Sequence, residues 1–526
     1  MRSVLSPPPD LPTGAKIAAS VLEGLGAKAV RPTTDFWTVW DTSDHRLAAA
    51  QRRLIQKSDR LELVASDAPD DAIASRAGGE DPHHFVATWP DDALTLAVRR
   101  TVGLRALAPV LSAQVRQVPG TVVDGQGKIT ARVEVIRYDI QIPSPTSNRR
   151  KRGPDPQAGP RSSHLALIIR PLRGYDSAAT AVVRRAEERG WRIAVDPVET
   201  ALAALPVGSA EPGFADPAQP AGYAVRGITA AYLPVLAELE EGVISDHAPE
   251  FLHQYRVGLR RLRSLVVQLG SALPGDEVQR LRALLGTMAR RTNHQRDLDV
   301  WLESRDEHAV LVPESLRHGL DPFFAAVASD RVAVHRTVAK ALGSAAHRNE
   351  WSEVEALAQR EAAGGEDHAT PIADLAARRT WKAWLKAAND AANVGPATPS
   401  EHIHEVRIRC KRLRYLLDAC GHLTAPDAHE GLRRDLREVQ EVLGAFNDAS
   451  IQEAALLERV SAGRHPTPTA VAVGALIGAL AARRDNLRAS LLVGLGKLAS
   501  TASRSRYKRL FKRSATAPTA DIGKDS

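Results

Sequence analysis

The strongest constraint on the fold of this chain is a basic motif that occurs twice, 151 residues apart (404 − 253 = 151). The first copy reads His253-x-x-Arg256-Val257-x-x-Arg260-Arg261-Leu262-Arg263. The second copy reads His404-x-x-Arg407-Ile408-x-x-Lys411-Arg412-Leu413-Arg414. The same offset relates further pairs: Leu281-Arg282 with Leu432-Arg433, and Asp297 with Asp448. Because these matches share one register without a gap, we interpret the surrounding region as two copies of one helical bundle.

Each copy of the motif forms one cationic face when it is placed on a helix. At about 100° per residue, the histidine and the cations three, seven and ten positions later share an arc of roughly 80°. The predicted core face lies on a separate side and consists of Leu252, Leu259, Leu262 and Val266 in the first copy and Ile403, Cys410, Leu413 and Leu417 in the second. The predicted binding residues are His253, Arg256, Arg260, Arg261, Arg263, His404, Arg407, Lys411, Arg412 and Arg414.

The first cationic face has no acidic neighbours in sequence that would neutralise it. No Asp or Glu occurs between Phe251 and Gly275, although cations three or four residues apart on a helix repel each other by about 0.2–0.5 kcal/mol per pair. Rows of arginine suit phosphate, because the planar guanidinium donates two parallel hydrogen bonds. Two alternatives remain open: a solvated helix surface, or internal pairing of Asp297 and Asp448 with the most inward-facing arginine of each copy.

The region from about residue 226 to residue 513 resembles the CHAD family of α-helical domains. Besides the two motifs, the resemblance rests on Arg296-Asp297-Leu298-Asp299-Val300 and on Gln440-x-x-Leu443-Gly444-x-Phe446-Asn447-Asp448. It implies two four-helix bundles related by pseudo-two-fold symmetry, whose basic helices face a central channel that binds inorganic polyphosphate, in some members at polyphosphate granules. Where the first half of the family has Leu-Gly before the Arg-Asp pair, this chain has Thr292-Asn293. We expect this change to alter a helix contact and to leave the cationic face unaffected.

Further basic residues could widen the predicted polyphosphate site. They are Arg290, Arg291, Arg336, Arg483 and Arg484, each of which also suits an ordinary surface position. Aromatic residues do not alternate regularly with the cations, which disfavours the stacking of bases and therefore a nucleic-acid interface. Inorganic polyphosphate is the predicted partner, and a general, nonspecific nucleic-acid binder is an alternative.

Residues 1–206 have a mixed pattern that predicts an α+β domain. Helical patterns run from Ala15 to Val30 and from Ala178 to Gly190, and the extended candidates are residues 36–40, 60–64, 129–142 and 165–169. Residues 143–163 are a predicted loop, 207–224 a predicted linker rich in Pro and Gly, and 514–526 a predicted disordered tail. The helical domain accordingly spans residues 225–513.

The N-terminal domain resembles a diverged CYTH domain. The resemblance rests on Thr38-Val39-Trp40-Asp41-Thr42 with Arg46-Leu47, and on residues 165–170 with the helix that follows. It implies a tunnel for triphosphate and divalent metal, which requires carboxylates. Neither residues 1–5 nor 165–170 contain an acid, and Glu134 and Asp139 point to opposite faces of a regular strand. We therefore expect no catalytic activity, with a triphosphate hydrolase as the alternative.

Composition excludes several other classes of protein. Two cysteines cannot build a disulfide framework, and we expect Cys410 and Cys420 to be core residues. The longest nearly pure apolar run, residues 470–482, is shorter than the roughly 20 residues of a membrane-spanning helix. The sequence thus predicts a cytoplasmic protein with no metal or cofactor and no contact with a membrane.

Overall fold

The computed structural model describes residues 2–9, 11, 15–42, 45–66, 72–78, 85–142, 161–203, 213–214, 216–361, 364–462 and 466–512. The chain divides into two units, Met1–Ala210 and Glu211–Ser526. Most of the predicted loop at 143–163 and the predicted tail at 514–526 lie outside the described residues. The first helix of the second unit begins at Ala221, inside the predicted linker.

The first unit is an antiparallel sheet with helices packed on it. Its described strands are β1 (Ser3–Ser6), β2 (Lys28–Ala29), β3 (Thr33–Thr42), β4 (Arg52–Gln56), β5 (Arg60–Ala65), β6 (Ala72–Ala77), β7 (Leu107–Val123), β8 (Ile129–Gln141), β9 (Arg161–Pro171) and β10 (Arg192–Ile193). Its described helices are α1 (Ala15–Gly24), α2 (Arg46–Ala49), α3 (Ala93–Val102), α4 (Asp176–Glu187) and α5 (Pro197–Ala203). The strand order is β10-β1-β9-β8-β7-β3-β4-β5-β6, and β2 pairs with β7.

The extended segments predicted from the sequence are confirmed. They lie in β3, β5, β8 and β9, and the second helical pattern is α4. The first helical pattern is shorter than predicted, because α1 ends at Gly24 and the chain turns at Gly26, whose φ of 74° is in the left-handed region. The residues after this turn form β2 instead of a continuing helix.

The sheet is apolar on both of its faces. One face packs against α1 and α4 through a cluster that includes Leu22, Val133 and Val182. The other packs against α5 through a cluster that includes Ile136 and Val198. Successive side chains of a strand point to opposite faces, so the apolar run of β9 supplies Leu167 and Ile169 to the first cluster and Ala166 and Ile168 to the second.

The second unit is helical throughout its described residues, apart from short 3-10 turns and connecting loops. Its helices are α6 (Ala221–Ile244), α7 (Pro249–Gln268), α8 (Gly275–Arg291), α9 (Asn293–Glu303), α10 (Arg305–Leu311), α11 (Asp321–Leu342), α12 (Ala345–Gln359), α13 (Ile372–Ala392), α14 (Ser400–Ala419), α15 (Pro426–Ala462), α16 (Thr467–Ala499) and α17 (Thr501–Phe511). Within the described part of the chain, no helix combines the length and the apolar character needed to cross a membrane.

Both copies of the repeated motif lie on helices, α7 and α14, and their predicted core faces are confirmed. The eight predicted core side chains are all at most 1% exposed: Leu252, Leu259, Leu262, Val266, Ile403, Cys410, Leu413 and Leu417. The free thiols of Cys410 and Cys420 are both buried, as expected, and burial raises the pKa of each to about 12. The 3.6-residue period therefore identifies which side of each basic helix packs inward.

The two copies differ where the sequence departs from the CHAD pattern. In the second copy, α15 continues without interruption through Leu443-Gly444. In the first copy, the equivalent position is a break between α8 and α9 at Thr292, whose φ and ψ are −105° and 1°. The Thr292 hydroxyl donates to the Ala289 carbonyl oxygen at 2.9 Å, so the side chain competes with the helical hydrogen-bond pattern.

Candidate functional site: a basic surface on α7 and α14

The two basic helices are neighbours in the second unit. Gln268 Nε2 on α7 donates to the Arg412 carbonyl oxygen on α14 at 3.1 Å, and Arg261 Nη2 lies 3.9 Å from Asp418 Oδ2. Residues 151 positions apart in sequence are thus brought onto one surface. We call the ten predicted residues on these two helices the basic surface.

Where α7 and α14 pack together, three basic side chains are close enough to repel one another: Arg260, Arg407 and Lys411. Burial, followed by the positive charges of Arg407 and Arg260, lowers the pKa of Lys411 to about 7. Neither Arg260 nor Lys411 forms an ion pair within the described residues. The Nε atom of Arg260 is buried and makes no hydrogen bond in this part of the chain. This contact between the helices therefore brings three basic side chains together, and among the described residues only Arg407 has an ion-pair partner, Asp448.

Arg256 is held by the break between α8 and α9. Its Nη1 donates to the Ala289 carbonyl oxygen at 2.9 Å, to Thr292 Oγ1 at 3.0 Å and to Asn293 Oδ1 at 2.7 Å. Burial, and after it the charge of Arg260, lowers the pKa of Arg256 to about 10. The expectation that Thr292-Asn293 leaves the cationic face unaffected is wrong, because both residues bind one of its arginines.

The two histidines that begin the motifs have different surroundings. His253 is half-buried, and burial together with the nearby Arg296 charge lowers its pKa. His404 Nδ1 is hydrogen-bonded to Asn447 Oδ1. Position 447 corresponds to 296 in the first copy (447 − 151 = 296), so an arginine faces one histidine and an amide faces the other.

Internal pairing with the repeated aspartates occurs in one copy only. Asp448 Oδ1 lies 3.5 Å from Arg407 Nη2. Asp297 influences Arg256 electrostatically but forms no ion pair within the described residues, and burial raises its pKa. Pairing with the repeated aspartates is therefore seen, within the described residues, for Arg407 only.

A pocket of about 170 Å³ lies at one end of the basic surface. It is lined by Arg261, Arg414, Asp418, Arg433 and Arg437. Asp418 Oδ1 accepts a hydrogen bond from Arg433 Nε at 2.9 Å, and Asp418 Oδ2 lies 3.9 Å from both Arg261 Nη2 and Arg414 Nε. We call Arg261, Arg414 and Arg433 the Asp418 triad.

The equivalent residues of the other copy form a second arginine cluster. Subtracting or adding 151 converts the Asp418 triad into Arg412, Arg263 and Arg282. Burial lowers the pKa of Arg263, and the next largest contributions come from Arg282, Arg290 and Arg412. The residue equivalent to Asp418 is Val267 (418 − 151 = 267). We call Arg263, Arg282 and Arg412 the Val267 triad, and none of the three forms an ion pair within the described residues.

The peripheral arginines predicted from sequence are placed differently from one another. Arg290 lies beside Arg263, since a side chain at Gly286 would approach Nη1 of both within 3.3 Å. Arg291 binds both oxygens of Glu350. Arg484 binds Glu453 at 2.6 Å and Asp485 at 3.0 Å. Arg336 and Arg483 are exposed and have no described contact with the basic surface.

Sequence reasoning missed four residues of this site: Arg282, Asp418, Arg433 and Arg437. A signal was present for two of them, because the 151-residue offset already paired Arg282 with Arg433. Asp418 had no such signal, since Val267 occupies its equivalent position and the carboxylate reaches arginines on three different helices.

Two carboxylates of the first unit, Asp41 and Glu134, are bound to protein groups. Asp41 accepts hydrogen bonds from the backbone amides of Leu47 at 2.9 Å and Ala48 at 3.0 Å, and so begins α2; burial raises its pKa. Glu134 pairs with Arg170 at 2.8 Å. Within the described residues of the whole chain, no three His, Cys, Asp or Glu side chains are grouped so that they could hold a metal ion.

Comparison with known proteins gives similar solved structures and one family match. The crystal structure of the CHAD domain from the plant Ricinus communis is 25% identical, covers 54% of this chain and 95% of its own, and has a TM-score of 0.44. PptA from Streptomyces chartreusis is 18% identical, covers 52% of this chain and 99% of its own, and has a TM-score of 0.41. No curated protein matches the chain. The family profile described as the CHAD domain matches residues 227–457, which include both basic motifs. The helical unit of this protein therefore contains a CHAD domain, at residues 227–457.

Proposed function

We propose that the helical unit binds inorganic polyphosphate along the basic surface, the ligand that the CHAD resemblance implies. One observation supports this most directly: α7 and α14 pack together and place two rows of cations on one surface, where Arg260, Lys411 and the Val267 triad have no ion-pair partner among the described residues. Unpaired cations this close together repel each other, and a phosphate polymer relieves that repulsion along its whole length.

We further propose that the two copies are related by a pseudo-two-fold axis that passes between α7 and α14. Two contacts support such an axis. Arg261 on α7 lies 3.9 Å from Asp418 on α14. The carbonyl oxygen of Arg412, the equivalent of Arg261, accepts a hydrogen bond from Gln268, which is next in sequence to Val267, the equivalent of Asp418. A symmetric arrangement would present one continuous row of sites to a uniform polymer.

A nucleic-acid binder is less well supported. Base stacking needs exposed aromatic rings beside the cations. Tyr255 and Tyr415, the tyrosines of α7 and α14, are 0% and 5% exposed. The Tyr255 hydroxyl donates to Glu240 Oε2 at 2.7 Å, which holds this ring inside the bundle.

Polyphosphate binding is expected to be tight at low salt and to weaken steeply as salt is added. If about six phosphates are neutralised, raising salt from 50 to 200 mM weakens binding roughly three-hundredfold at the slope of a single-stranded polyanion, because each contact releases a counter-ion. Fluorescence titration of the full chain with polyphosphates of graded length measures this dependence. Single-stranded DNA and RNA at equal phosphate concentration are the competitors. Preference for either nucleic acid over long-chain polyphosphate would refute the proposal.

We propose that the first unit is a diverged, CYTH-like domain without hydrolytic activity. A triphosphate tunnel needs a polar wall, whereas the sheet face under α5 is lined by apolar side chains such as Ile55, Leu111 and Ile168. The polar groups at this face are paired with each other: Arg2 binds Asp196 at 2.7 Å, and Arg53 binds Glu199. Because these arginines are already paired with carboxylates, they are poorly available to bind a triphosphate.

No phosphate release above the protein-free rate is expected when the chain is incubated with tripolyphosphate and Mg²⁺ or Mn²⁺. A colorimetric phosphate assay over several hours tests this expectation. The triphosphate hydrolase alternative would be supported by steady release that Glu134→Gln abolishes and that Arg260→Glu does not, because this result would assign the chemistry to the first unit.

In the cell, we propose a cytoplasmic location at polyphosphate granules. This location follows from the proposed ligand, since a protein that binds the polymer along a row of cations accumulates where the polymer is concentrated.

A further inference from the structure

We propose that Asp418 is a built-in counter-ion that competes with phosphate for the Asp418 triad, so that the two symmetry-equivalent arginine triads bind polyphosphate unequally. This inference rests on the proposed function of the basic surface and adds the residue that regulates it. The Val267 triad is the stronger of the two phosphate subsites, and the Asp418 triad is the weaker.

The geometry of Asp418 is that of an anion already bound in a phosphate site. Its side chain is 11% exposed and faces a pocket of about 170 Å³ whose other lining residues are all arginines. One oxygen accepts a hydrogen bond from Arg433 at 2.9 Å, and the other lies 3.9 Å from Arg261 and from Arg414. A carboxylate and a phosphate present similar oxygens to a guanidinium, so the two anions use the same donors.

The pocket still has capacity for a second anion. Its four arginines face two carboxylates, Asp418 in the lining and Glu430 beside it, whose Oε2 accepts a hydrogen bond from Arg433 Nη1 at 3.0 Å, so the formal charge is +2 (4 − 2 = 2). The Nε atom of Arg414 is buried and makes no hydrogen bond within the described residues. Arg437 is half-exposed and lies 3.7 Å from Glu430. A phosphate can therefore enter, but it must weaken the contacts of a carboxylate that is tethered on α14 and so acts at a high effective concentration.

The Val267 triad is a natural comparison within the same molecule. It has the same three basic positions, and the residue in place of Asp418 is an uncharged side chain that is 43% exposed. No carboxylate forms an ion pair with Arg263, Arg282 or Arg412 within the described residues. Phosphate that binds there forms new ion pairs without breaking existing ones.

Charge-removing substitutions at equivalent positions test the inference. Arg282→Gln is expected to weaken binding of long-chain polyphosphate about tenfold, the loss of one hydrogen-bonded charge contact. Arg433→Gln in the native background is expected to weaken polyphosphate binding by less than about threefold. The reason is that a phosphate contact with Arg433 must first weaken the hydrogen bond between Arg433 and Asp418, so its net contribution to binding is small. In a background that carries both Asp418→Asn and Glu430→Gln, so that neither carboxylate pairs with Arg433, Arg433→Gln is expected to cost the same tenfold as Arg282→Gln.

Asp418→Asn alone is expected to strengthen binding about tenfold and to make the salt dependence steeper by about one phosphate contact. Asp330→Asn is the matched control, since it removes the same charge from a half-exposed residue that pairs with Arg459 at 2.6 Å and has no described contact with the basic surface. Circular dichroism and thermal unfolding check that each variant is folded.

Two results would overturn the inference. One is equal losses for Arg282→Gln and Arg433→Gln in the native background. The other is an Asp418→Asn variant that binds no more tightly than the Asp330→Asn control. Both presuppose that the native chain binds polyphosphate, so they are distinct from a failure of the proposed function, in which the native chain itself would not bind.

Discussion

Replacing Arg260 and Lys411 together by glutamate is expected to weaken polyphosphate binding at least hundredfold, or about 2.8 kcal/mol. These two residues lie where α7 and α14 pack together, and the charge of Arg260 contributes to the low pKa of Lys411. Neither forms an ion pair within the described residues, so each can contact the polymer directly. Each substitution removes a charge-assisted hydrogen bond to phosphate that is worth about 1.5–3 kcal/mol. The two new glutamates also repel the negatively charged polymer. The measurement is a titration with long-chain polyphosphate at fixed salt and pH.

The control variant changes the net charge equally at another place. Lys382 and Lys386 are exposed on α13 and have no described contact with the basic surface. Replacing both by glutamate is expected to change the affinity less than about threefold, through long-range electrostatics alone. If the Arg260 and Lys411 variant retains its helical circular dichroism and binds as well as this control, the contact between the two helices is not the binding site.

Arg256 and Arg407 are less suitable targets, although the sequence marks them just as strongly. Arg256 donates three hydrogen bonds to the break between α8 and α9, so its replacement by glutamate would destabilise that junction as well as remove a cation. Arg407 is already paired with Asp448. A loss of binding in such a variant could result from a change of structure.

Polyphosphate affinity is expected to decrease as the pH rises above 7. In the free protein, burial and the charges of Arg407 and Arg260 lower the pKa of Lys411 to about 7, from an ordinary value of 10.5. A bound phosphate favours the protonated amine and raises this pKa, so binding takes up a proton. Full affinity is available below pH 7 and is lost as the pH rises through 7, at up to about tenfold per pH unit, until the pKa of the bound state is reached.

Titrations between pH 6 and pH 9 at constant ionic strength measure this effect. Lys411→Arg is the matched variant, because an arginine stays protonated over this range. It is expected to bind with nearly constant affinity from pH 7 to pH 9, whereas the native chain loses up to about a hundredfold. An equal pH dependence in the two proteins would show that Lys411 does not take up the proton. His253, whose pKa is also lowered in the free protein, adds a further gain in affinity as the pH falls through the higher pKa that it has when phosphate is bound.

Much of the fold was predictable because its signals are local. The predicted core face of α7 is buried from Leu252 to Val266, and the period of 3.6 residues requires no knowledge of what packs against that face. Strands such as β8 and β9 were predictable from short extended segments rich in apolar residues, such as residues 165–169. The end of α1 was not predicted, because the apolar spacing continues to Val30 while the left-handed turn at Gly26 ends the helix.

The site was predictable only in part. The cationic rows follow from the sequence, but the internal partners of their members do not. Thr292 and Asn293 bind Arg256 because the helix breaks at that point, and a continuous helix would have placed them elsewhere. Arg291 was predicted as a possible peripheral residue of the polyphosphate site, but in the structure its guanidinium is paired with Glu350. Whether a cation is available to a ligand depends on which acids other helices bring near it.

The sequence by itself determined that two helices carry matching cationic faces, that their opposite faces enter a core, and that the first copy has no acid nearby in the chain. Only the tertiary structure decided that α7 and α14 lie side by side. It also decided that the Asp418 carboxylate lies near three arginines, whereas the equivalent position in the first copy is the uncharged Val267. The physical reason is the range of the interactions. Helix periodicity arises from hydrogen bonds four residues apart, whereas charges as distant in sequence as Arg261 and Asp418 interact only after packing has removed water and fixed the distance between them.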